Sequence, residues 1–157
     1  MDHRIIWKKL ELLRELATLS VLPIEGWQAC TADYPTAGSY VFDGDCTATE
    51  LPAYFPAGKT VFLKARVTVP DCFLLADSYL CFSFADMEGL LSIDGEPFAG
   101  LDGNHLRVPV PRYGELALEI ECMSVPWSYQ HPPTPGQHST WFGGTLKQVS
   151  REIETLC

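Results

Sequence analysis

The sequence predicts a mainly β protein: an antiparallel β-sandwich or jelly roll, with an amphipathic helix at its N-terminus and a short helix at its C-terminus. Three observations predict it. From residue 27 onward, apolar side chains recur at every second position rather than every third or fourth. The alternating runs are short, and 12 glycines and 12 prolines punctuate the chain. Finally, a sheet with one apolar face must be covered by a second layer.

The elements follow in order. Over residues 3–19, Ile6, Leu10, Leu13 and Ala17 share one helical face, which Leu12, Leu16 and Leu19 widen. Asp2 is placed to cap its start, and Pro23 lies just beyond its end. This stripe is expected to face the core, so residues 1–24 form a helical unit packed on a sandwich of residues 25–149. Residues 39–42 read as a short strand closed by Asp43-Gly44-Asp45. Residues 60–69 alternate, with Val61, Leu63, Ala65, Val67 and Val69 on one side and Phe62, Lys64, Arg66 and Thr68 on the other. Residues 78–85 repeat the pattern with Leu80, Phe82 and Phe84.

Residues 90–93 and 97–101 flank Asp94-Gly95, a hairpin signal because both residues accept positive φ. A second turn at Asp102-Gly103-Asn104 leads to a strand over residues 106–110. In residues 115–122, Leu116, Leu118, Ile120 and Cys122 point inward, while Glu115, Glu119 and Glu121 point to water. Residues 126–136, PWSYQHPPTPG, contain four prolines and read as a loop. A last strand is expected over residues 139–149. Ser150 then caps a helix that has barely begun at Cys157, read as a domain edge.

Charge narrows the function. The net charge is −9, with 20 acidic against 11 basic residues, and Lys8-Lys9 is the one dense basic spot. Nucleic acid and anionic membrane surfaces are therefore not expected partners. The N-terminal segment is too often interrupted by charge for a signal or a membrane span. The six cysteines show no C-x-x-C spacing. Together these lead to the expectation of a cytoplasmic protein with reduced, buried thiols.

No motif supplies a reactive centre. The histidines at 3, 105, 131 and 138 form no metal-binding pattern, and there is no G-x-S-x-G or phosphate loop. The polar residues Asp102, Asn104 and His105 are the candidate contacts to a ligand or neighbouring domain. Aspartate and asparagine there also serve a tight turn, whereas nothing about a turn demands an imidazole. Trp127, Tyr129 and Trp141 bracket the proline-rich loop and are the candidate aromatic contacts to a sugar, or else anchors for that loop.

The run LLSIDGEPFAGLDGNHLRVPVP, preceded by KTVFLKARVTVPDCFLLADSYLCFSF and followed by GELALEIECM, resembles the N-terminal β domain of family-38 α-mannosidases of the cytosolic and bacterial type. Asp94-Gly95-Glu96-Pro97 with Gly100-Leu101-Asp102 and Asn104-His105 is its most specific part, and the likeness extends from about residue 27 onward. The resemblance implies a galactose-binding-domain-like sandwich preceding a catalytic barrel. The zinc and the aspartate nucleophile of such enzymes belong to that barrel, and this chain has no H-x-D to receive them. The resemblance therefore implies a non-catalytic accessory domain that supports a catalytic domain, with no cofactor of its own. The alternatives are a stand-alone carbohydrate-binding module or a structural domain that forms a homodimer.

Overall fold

The computed structural model describes residues 3–125 and 136–154. Helix α1 spans His3–Ala17 and runs directly into strand β1, Thr18–Ile24. Strands β2 (Gln28–Thr36), β3 (Ser39–Phe42), β4 (Thr47–Ala48), β5 (Ala53–Pro56) and β6 (Thr60–Val69) follow. A single 3-10 turn leads to β7 (Ser78–Ala85), β8 (Met87–Ile93), β9 (Glu96–Leu101) and β10 (Arg107–Pro109). The chain finishes with β11 (Gly114–Ser124), β12 (His138–Val149) and a one-turn helix α2, Arg151–Glu154.

The strands form two antiparallel sheets. One has five strands in the order β1-β12-β7-β10, with β5 also paired to β12. The other has seven, in the order β3-β2-β6-β11-β8-β9, with β4 paired to β2. Their inner faces meet in the main core. The seven-stranded sheet contributes Val61, Leu63, Leu91, Leu116, Leu118 and Ile120; the five-stranded sheet contributes Ile24, Leu80, Phe82, Trp141 and Leu146. The two-layer sandwich is therefore the observed architecture, and the alternations in β6, β7 and β11 point inward as the sequence predicts.

Three expectations need correction. The helix stops at Ala17, and residues 18–24 form an edge strand of the five-stranded sheet. Strand β12 offers this segment a ladder from Thr18↔Val149 to Ile24↔Gly144, which a continued helix would forgo. Pro23 is tolerated there because an edge strand can leave one N–H position unpaired. The residues that widen the stripe do not face the core either: Leu12, Leu16 and Leu19 are each more than half exposed, while Ala17 at the helix end is buried. Instead α1 packs against α2 and the start of β1. No described helix is long and apolar enough to cross a membrane.

The third correction concerns the thiols. Cys30 and Cys46 form a disulfide, while Cys72 and Cys122 are free thiols. The pairing Ala29↔Thr47 between β2 and β4 brings the two together, a contact that a 16-residue sequence separation does not suggest. They belong to a small second core on the outer face of the seven-stranded sheet, with Ala32, Phe62 and Tyr40. Phe62, expected to face outward, does so, but it is covered by the rings of Tyr40 and Phe42. The Tyr40 hydroxyl donates to Glu121, and that bond together with burial pushes its pKa up to about 12.

Candidate functional site

The meander from β8 to β10 is built from two tight turns. Asp94 and Gly95 adopt φ of 54° and 85°, as a two-residue hairpin between β8 and β9 requires. The Asp94 carboxylate accepts from the Ala117 N–H at 3.0 Å and from the Arg112 guanidinium at 2.5 Å. Those two partners, the backbone bond first, hold its pKa below the usual carboxylate range. Arg112 thereby ties the hairpin to the chain entering β11.

The second turn, unlike the first, is bonded within itself. One oxygen of Asp102 accepts from the backbone N–H of Asn104 at 2.7 Å and of His105 at 2.9 Å. The imidazole Nδ1 of His105 lies 2.9 Å from both carboxylate oxygens. The His105 side-chain bond is the leading cause that lowers the Asp102 pKa, ahead of the Asn104 amide. The imidazole thus helps close the turn through its contact with Asp102. Its outer edge remains exposed, at 73% of the side chain. Asp102, Asn104 and His105 do lie together at one exposed turn, where the Asp102 carboxylate takes the backbone N–H of Asn104 and both the N–H and the ring of His105.

The aromatic candidates separate. Trp127 and Tyr129 lie outside the described residues, as does His131. Trp141 is fully buried, edge-to-face against Trp27 with centroids 5.0 Å apart and stacked on Phe84 at 5.9 Å. Its ring packs between the sheets, so the structure places it as an anchor of β12 and offers none of its surface to a ligand. A bulge after Trp141 turns the ring inward and leaves Phe142 half exposed. Nearby, His138 packs edge-on against Tyr54. No group of three or more His, Cys, Asp or Glu among the described residues is arranged to hold a metal.

A groove of about 480 Å³ lies elsewhere, across the outer face of the seven-stranded sheet. Glu25 and Gly26 flank one side, where the chain enters β2, and the Asp94-Gly95 turn rises on the other. Between them the paired strands β2, β6 and β11 present Gln28, Lys64 and Glu119 in one row, through the registers Gln28↔Lys64 and Glu119↔Lys64. The next row holds Arg66 opposite Ala117. Lys64 pairs with Glu119 at 2.7 Å and Arg66 with Glu115 at 2.5 Å. Alternation already put Lys64, Arg66 and Glu119 on a water-facing side. Their convergence with Gln28 depends on the lateral order of three strands distant in sequence, which no local pattern carries.

Compared with known proteins, the chain matches no family model and no curated protein. Among solved structures it is similar to CBM51 from Clostridium perfringens GH95, solved in complex with methyl-galactose. The identity is 14% and the TM-score 0.30, over 85% of this chain and 97% of that one.

Proposed function

We propose that this chain is a non-catalytic, carbohydrate-associated accessory domain of the family-38 α-mannosidase type, docked on a separate catalytic domain that carries the zinc. The observation that carries the proposal is a set of exposed apolar side chains on either side of the junction of α1 and β1. Leu12, Leu16, Leu19, Val21 and Leu22 are all exposed there, five residues within a stretch of 11. An apolar surface gains free energy when a neighbouring domain removes it from water. The Asp94–Pro97 and Asp102–His105 meander, where the likeness to that family is strongest, adopts the two tight turns that its residues favour.

The experiment has two steps. Sequencing the transcript past codon 157 is expected to find an α-mannosidase catalytic domain in the same frame. Deleting residues 1–157 from that enzyme is then expected to lower both its melting temperature and its hydrolysis of p-nitrophenyl α-mannoside. Unchanged stability and turnover in the deleted enzyme would end the proposal. A second reading, a stand-alone carbohydrate-binding module, is favoured by the groove between Gly26 and Gly95. It does not need the catalytic domain. A homodimer formed through the same junction would appear in light scattering as a doubled mass.

A further inference from the structure

We propose that the groove on the outer face of the seven-stranded sheet is a binding site for a neutral hexopyranoside, with Gln28 and Glu25 bonding its hydroxyls. This rests on the carbohydrate-associated reading above and names the site and ligand class for it.

The shape comes first. At about 480 Å³ the groove falls in the size range of small-molecule sites. It crosses β2, β6 and β11 to reach the turn after β8, three strand spacings in all, or about 14 Å. That is room for one or two sugar rings lying along the sheet. Its floor exists because Ala117 is small where its neighbours on the same face, Glu115 and Glu119, are long. The flanking glycines adopt positive φ, 69° at Gly26 and 85° at Gly95, and nothing lies within 4 Å of a Cβ at either. Both rims therefore present bare backbone to whatever occupies the groove.

Charge then selects the ligand. Two cations, Lys64 and Arg66, and two carboxylates, Glu25 and Glu119, line the groove. Each cation already has a carboxylate partner at 2.7 Å or less. A phosphate or sulfate would have to break those pairs, so a neutral molecule fits better. Against this, the Gln28 amide and the Glu25 carboxylate make no side-chain hydrogen bond among the described residues. An amide offers two donors and an acceptor, and a carboxylate offers acceptors only. A sugar hydroxyl donates and accepts at one atom and so satisfies both. The Ala117 methyl and the aliphatic stems of Lys64 and Arg66 supply the apolar contact that the C–H face of a pyranose needs.

Among the described residues no aromatic ring lines the groove, so millimolar affinity is expected. The test is a ¹⁵N–¹H titration of the whole 157-residue chain with methyl α-mannopyranoside and, separately, inorganic phosphate. Saturable shifts at the amides of Gly26, Gln28, Gly95 and Ala117 are expected with the sugar alone. Gln28→Ala and Ala117→Phe should each weaken binding about tenfold, a change of about 1.4 kcal/mol, without lowering the melting temperature. The second variant fills the floor instead of removing a hydrogen-bonding group, so the two fail independently. Three results would each overturn the proposal: no saturation up to about 50 mM, well above millimolar Kd; shifts centred on the Asp102 turn; or phosphate competing for the same amides. If the groove fails while deletion of the domain still cripples the α-mannosidase, only this inference falls.

Discussion

Gly89 shows how one residue can govern a whole sheet contact. A Cβ built there would lie 2.4 Å from the Glu121 carbonyl oxygen and 2.5 Å from Cys122 Cβ, both on the neighbouring strand β11. Nothing can move away, because the obstacle is backbone inside a ladder. Gly89→Ala is therefore expected to destabilise the protein by about 1–3 kcal/mol, read from the urea midpoint, whereas Gly44→Ala, with open space around it, should change little. The turn carboxylates set the acid response. Asp94 and Asp102 have folded pKa values lowered by their hydrogen bonds, so both favour the folded state above the ordinary carboxylate range. That contribution fades as pH falls through their folded pKa values. The melting temperature should drop in that window, and Asp102→Asn should flatten part of the drop.

At the scale of elements, α1 and β1 show why periodicity alone misleads. The i, i+3, i+4 pattern of residues 3–17 does specify a helix, but amphipathicity says only that one face prefers apolar company. It does not say which company. Here α2 and β1 take part of that face, and Leu12 and Leu16 remain exposed. Leu16→Asp should accordingly leave the stability of the chain within about 0.5 kcal/mol in urea titrations, as is usual for surface substitutions. The same change should weaken whatever assembly covers the α1–β1 junction. A large loss of monomer stability would show that the helix packs more deeply than its exposure indicates. Strand β2 was hidden for a different reason. Its segment QACTADYPT carries small and polar residues, and its pairing with β6 and the outer-face cover from Tyr40 hold it in place.

For the molecule as a whole, one continuous core joins both sheets, so unfolding should be a single cooperative event. Far-UV circular dichroism and tryptophan fluorescence should trace the same urea transition, and two separated transitions would mean that the sheets are independent. The Trp27–Trp141 pair sits between the layers, and Trp141→Ala is expected to destabilise by about 3–5 kcal/mol in the same titration. The sequence by itself determined the class of fold, because a period of two and its interruptions are local properties that each strand carries alone. It also determined the Asp94-Gly95 hairpin and the turn at Asp102 and Asn104, and the bond from His105 to Asp102 that the structure adds there is just as local. Only the tertiary structure decided that Trp141 is interior, that Cys30 meets Cys46, and that Gln28, Lys64 and Glu119 share one groove. Each of these depends on lateral strand order and register. Those are set by how two sheets bury their apolar faces together, a condition on the whole chain that no short stretch of residues can express.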